Sequence, residues 1–141
     1  MSTGTFPSSA FIDRRDKLRN ADDVKTAATR STNHLLYHSL NVTDEIAITE
    51  TLSQIVPTLR YPLKGLVSCA GLSRNGPATD FPASEFRQML DVNVAGSFLM
   101  AQAVAREMVR TNTSGSMVLV ASVSGYVSNK VSMVLPLSID I

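Results

Sequence analysis

Apolar positions along the chain recur in two rhythms, and the switches between them mark out its elements. Leu35, Leu36, Tyr37 and Leu40 form a short run at 35–40 that predicts a strand. The rhythm then lengthens, and Ile48, Leu52, Ile55 and Leu59 share one face of a predicted helix. Thr43 or Asp44 can cap that helix, with Asp44 and Glu45 at its positive N-terminal end and Pro57 near its close. Leu66 and Val67 lie in a second short run at 64–69, read as a buried strand. Gly76, Pro77 and Pro82 mark a loop before the longest helix, at 84–110, with Ser84 as expected N-cap and Glu85 in its first turn. Its middle carries Val92, Val94, Phe98, Leu99, Met100, Ala103 and Val104 on nearly every side. Such a helix is expected to bury one face on a sheet and another on a second partner. A turn at 111–115 leads into an unbroken apolar strand at 116–121. Near the start, Ala10-Phe11-Ile12 is placed at the end of a strand, and 21–30 reads as a polar, exposed helix. Strands alternating with helices at this spacing predict an α/β fold, with a parallel sheet covered on both faces.

A length of 141 residues allows one domain with a core. We expect a disordered start at 1–9, the domain at 10–130 and an unpatterned tail at 131–141. Thirteen basic against twelve acidic residues leave a net charge of +1, with no footprint for nucleic acid or an anionic membrane. Cys69 is the single cysteine, which excludes an internal disulfide and a thiolate-built zinc site. His34 and His38, four positions apart, could share a helical face but lack a third ligand, so no metal site is expected. No run is apolar and long enough to cross a bilayer. The opening residues lack the apolar block of a secretory signal, and a cytoplasmic protein is expected.

Three stretches, in order and at matching spacings, resemble the short-chain dehydrogenase/reductase family. Gly65-Leu66-Val67-Ser68-Cys69-Ala70-Gly71 is similar to the family's Asn-Ala-Gly turn after its fourth strand. Met89-Leu90-Asp91-Val92-Asn93-Val94-Ala95-Gly96-Ser97-Phe98 is similar to its Asn-containing helix motif. Gly115-Ser116-Met117-Val118-Leu119-Val120-Ala121-Ser122-Val123-Ser124-Gly125 is similar to its fifth strand and serine loop. The resemblance implies a partial Rossmann-like, doubly wound parallel sheet holding the family's second to fifth strands. It also implies an NAD(P)-dependent oxidoreductase interconverting a small-molecule carbonyl and an alcohol, with the Ser-Gly-Tyr loop similar to members acting on ketoses and sugar alcohols.

By motif, Ser122 would polarise the carbonyl and Asn93 would hold a water in the proton path. An amide in so apolar a helix needs a partner when buried. Gly96, costly in a helix by about 1 kcal/mol, predicts close packing against a neighbouring backbone. Ala70 and Gly71 would face the cofactor, and Asn41 stands where the family often has an aspartate contacting adenine. Asp13, ending the second strand, fits the ribose hydroxyls of NAD, whereas Arg14 and Arg15 suit the extra phosphate of NADP. Both cofactors stay open. Cys69 replaces the family asparagine and is read as a small buried hydrophobe.

Two parts of the family's machinery do not occur in this sequence. No three-glycine run follows a strand, so the pyrophosphate turn is missing. Without the strand before that turn, the second and fourth strands lose their common neighbour, and we expect poor stability. Tyr126 and Lys130 have the spacing of the catalytic Tyr-x-x-x-Lys pair, but Tyr126 follows Ser122 by only four residues. The family tyrosine follows its serine by roughly a dozen, so we read the pair as a chance match. The chain by itself is therefore expected to be inactive and to bind its cofactor poorly. The other reading is a non-catalytic protein that forms a homo- or hetero-oligomer with a full-length family member through helix 84–110.

Overall fold

The structure, a computed structural model, describes residues 9–13, 35–77 and 79–122. The expected helix at 21–30, the start at 1–8 and the segment from 123 onward, with Tyr126 and Lys130, lie outside the described residues.

Strand β1 (Ser9–Asp13) lies parallel to β2 (Leu35–Ser39), with Ser9 opposite Leu35 and Asp13 opposite Ser39. Asp44 settles the choice of cap for the next helix, because its carboxylate accepts from the Ala47 N–H at 3.0 Å. Helix α1 (Glu45–Ile55) buries Ile48 and Ile55. Pro57 lies in a 3₁₀ turn, Val56–Thr58, that closes the helix. Leu59 follows in extended conformation and so drops off the apolar face predicted for it.

Strand β3 (Gly65–Ser68) pairs in parallel with β4 (Ser116–Leu119). Between them run α2 (Ala83–Leu90), a π-helical turn (Asp91–Gly96) and α3 (Ser97–Arg110). The predicted Ser84 cap is not formed. Helix α2 begins one residue earlier, with Pro82 at the cap position, and the Pro82 carbonyl accepts from the Phe86 N–H at 3.1 Å. Proline's extended ψ of 127° delivers the chain into the helix without a side-chain cap. At the other end Asn112 takes φ 49°, a conformation that asparagine tolerates, and Thr113 N–H reaches the Met108 carbonyl at 2.9 Å.

Leu40, Ile48 and Met100 form one buried core cluster, with Val42, Leu52, Leu66, Leu99 and Ala103 packed around them. Thus α1 and α3 cover one face of the strands. On the other face of the β3–β4 pair Val67, Val118 and Val120 are 67%, 52% and 58% exposed, and no helix of the described residues lies over them. Side chains alternate along a strand, and among the described residues the helices meet the side that carries Leu66 and Ser68. The second partner expected for the long helix is likewise not found among the described residues, where Phe98 and Val109 are exposed.

The architecture is α/β with parallel pairing throughout. Among the described residues the strands form two pairs, β1–β2 and β3–β4, and no ladder joins β1 to β3. No helix of the described residues is long and apolar enough to cross a membrane.

Candidate functional site

Five of the candidate residues lie at the carboxyl ends of strands. Asp13 is the last residue of β1, Asn41 comes two residues after β2, Ala70 and Gly71 just after β3, and Ser122 three residues after β4. In open parallel sheets this is the rim where ligands bind.

The turn after β2 is held by its own atoms. The Asn41 Oδ1 accepts from the Thr43 hydroxyl at 3.1 Å and from the Thr43 N–H at 3.4 Å. The Asn41 carbonyl accepts from the Asp44 N–H at 3.1 Å. This Asx arrangement leaves the exposed Asn41 side chain with its amide hydrogens still available as donors.

The turn after β3 is held from a distance. Asn93, in the π-helical turn, takes the Leu72 N–H on its Oδ1 at 2.7 Å and gives an Nδ2 hydrogen to the Leu72 carbonyl at 3.0 Å. This two-point clasp is the partner that a half-buried amide in an apolar helix requires. A side chain on Gly71 would meet the Asn93 Oδ1 at 3.7 Å, an ordinary contact, so the exposed turn is open to close approach. Cys69 is exposed, not buried as expected, because β3 ends at Ser68 and the rim begins at the next residue.

One helical turn touches both rims. Asn93 clasps Leu72 after β3, and Gly96, three residues on, packs against Val42 after β2. In the loop between β3 and α2 the Arg74 guanidinium lies 3.8 Å from Glu85 in the first turn of α2, an exposed pair. Beyond β4 the ladder continues for one bond, with Val120 N–H on the Ser68 carbonyl at 2.9 Å, and Ser122 is exposed past it.

The structure therefore brings Asn41, Gly71 and Asn93 around one helical turn. Leu72 and Val42 were missed by motif reasoning, since one acts through its backbone and the other through its shape. The unpaired amide expected at Asn93 was the signal that could have found Leu72. No group of three metal-ligating side chains occurs among the described residues.

Comparison with known proteins gives the family of the chain. A short-chain dehydrogenase/reductase of Aspergillus versicolor, notP', is 59% identical over 111 residues, 79% of this chain and 38% of its own length. A D-arabinitol 2-dehydrogenase (ribulose-forming) of Candida albicans is 35% identical over 64% of this chain and 32% of its own. The chain thus spans about a third of the length of these curated relatives. Among solved structures, a short-chain type dehydrogenase/reductase from Mycobacterium marinum matches 89% of this chain and 49% of its own, at 27% identity and TM-score 0.78. An NAD⁺-bound xylitol dehydrogenase matches 85% of this chain and 45% of its own, at 26% identity and TM-score 0.72. The family model for short chain dehydrogenase covers residues 10–134, and the chain belongs to that family.

Proposed function

We propose that these residues serve an NAD(P)-dependent interconversion of a carbonyl and an alcohol, on substrates of the ketose and sugar-alcohol class. The observation that carries the reading is the Asn93 clasp on Leu72, which presents the Ala70–Gly71 turn at the strand ends. The D-arabinitol 2-dehydrogenase and NADH-dependent L-xylulose reductase names among the relatives support the substrate class.

The open Gly71 turn and the donor amide of Asn41 fit a dinucleotide, which Asp13, Asn41, Ala70 and Gly71 would hold. When bound, its nicotinamide supplies or accepts a hydride. Ser122 would donate a hydrogen bond to the substrate oxygen and Asn93 would hold a water in the path of the hydroxyl proton, which a tyrosine supplied by the flanking portions of a full-length relative would give or take. Tyr126 takes no part.

The polypeptide of residues 1–141 does not catalyse this reaction alone in our reading, because no strand among the described residues joins β1 to β3. Titration of that polypeptide with NADH and NADPH is expected to show no saturable binding, and micromolar saturation would overturn this. Flanked by the remaining portions of the Aspergillus relative, the same residues should support NAD- or NADP-linked oxidation of arabinitol or xylitol. In that chimera Ser122→Ala is expected to lose about 100-fold or more in rate, and Tyr126→Phe to lose nothing. Turnover restricted to substrates other than polyols and ketoses would overturn the substrate class.

A second reading is favoured by one observation, the 49% exposure of Phe98 on α3. It makes the chain a non-catalytic partner that docks on a full-length relative through helix 84–110. Phe98→Glu should then abolish co-purification with that relative. Met100 is 6% exposed and packs in the core, so it cannot report on docking.

A further inference from the structure

Gly96 has a helical backbone, φ −61° and ψ −42°, which any residue adopts. Glycine is a poorer helix former than alanine at such a position. Its presence is therefore not explained by conformation.

Space explains it. A Cβ on Gly96 would fall 2.7 Å from Val42 Cγ2, 3.2 Å from Val42 Cβ and 3.2 Å from the Val42 carbonyl oxygen. Valine is β-branched and stiff, so its methyl has little freedom to yield. The backbone oxygen can yield only if the turn moves. Val42 lies inside that turn, between Asn41 and the Thr43 whose N–H and hydroxyl bind the Asn41 Oδ1.

We propose that Gly96 is a positioning residue: its missing side chain seats Val42 against the helix and thereby sets where Asn41 stands on the rim. Asn93 sets the Leu72 side of the same rim from the same turn. One helical turn thus brackets both strand ends and fixes the spacing between them. The proposal rests on the reading above only where it assigns Asn41 to the cofactor.

The experiment compares wild type, Gly96→Ala, Val42→Ala and the double variant in the 141-residue protein by site-resolved amide exchange. Gly96→Ala is expected to speed exchange at Asp44 and Ala47 about tenfold, while Leu72 changes less than about twofold. Adding Val42→Ala should restore Asp44 and Ala47. Unchanged exchange at Asp44, failure of the double variant to restore it, or an equal loss at Leu72 and in β3 would each overturn the proposal. Should Gly96→Ala not fold, folding of the double variant supports it and failure of both overturns it.

The chimera supplies a separate arm. There Gly96→Ala should raise the dinucleotide KM and leave kcat unchanged, with Val42→Ala reversing the change. If exchange behaves as expected and KM does not move, the bracket stands and the assignment of Asn41 to the cofactor fails.

Discussion

The turn after β2 and the turn after β3 occupy equivalent places at strand ends, yet they are built in opposite ways. The first closes on itself, with Asn41, Thr43 and Asp44 exchanging hydrogen bonds across two or three residues. The second lends its backbone to Asn93, 21 positions further along the chain. A self-closed turn does not depend on a distant side chain for its hydrogen bonds, and only a clash driven into it, as a Cβ on Gly96 would drive into Val42, disturbs it. A turn clasped from afar keeps its shape only while the helix that clasps it stays in place.

This contrast is sharpest at Asn93. Removing its amide by Asn93→Ala leaves the Leu72 N–H and carbonyl without their partner in a half-buried place. The expected cost is about 1–3 kcal/mol, read by chemical denaturation, with faster exchange at the Leu72 amide and little change at Asp44. Equal effects on both turns would break the comparison.

Asp44→Ala tests the other turn. It removes the bond to the Ala47 N–H at the start of α1 and should cost about 1 kcal/mol, leaving Leu72 undisturbed.

The smallest effect is expected at the far end of α3, where Glu107 binds the Arg110 guanidinium at 2.7 and 2.8 Å. The hydrogen bond from Arg110, with its charge, holds the Glu107 carboxyl below the usual carboxylate range. The bond therefore stabilises the fold above the ordinary glutamate range and is lost as pH falls through the lowered pKa. The gap in stability between wild type and Arg110→Ala should be small at neutral pH, close toward zero in acid and shrink in high salt. Neither rim turn should respond.

Much of the fold was legible in the chain. The 3.6-residue spacing of Ile48, Leu52 and Ile55 located α1, and the short apolar runs located β2, β3 and β4. The Ser84 cap was misjudged because Pro82 ends the preceding loop in a conformation that already starts the helix. The burial of β3 was misjudged because a run of apolar residues reports what a strand prefers, and not which of its faces a neighbour covers. Val67 and Val118 are apolar and exposed together. Within the site, Asn93 was legible as a polar group out of place and Gly96 as a costly one. Their partners were not, since a backbone amide at Leu72 and a methyl at Val42 carry no motif.

The sequence by itself determined the family, the parallel α/β order and the places of Asp13, Asn41, Ala70, Gly71 and Ser122 at strand ends, because periodicity and motif spacing are properties of the chain. Tertiary structure alone decided which groups meet. Placing one helical turn of α3's helical stretch between two strand ends puts Asn93 on Leu72 and Gly96 on Val42. Those contacts join residues tens of positions apart, and their energies depend on distances that no local pattern encodes.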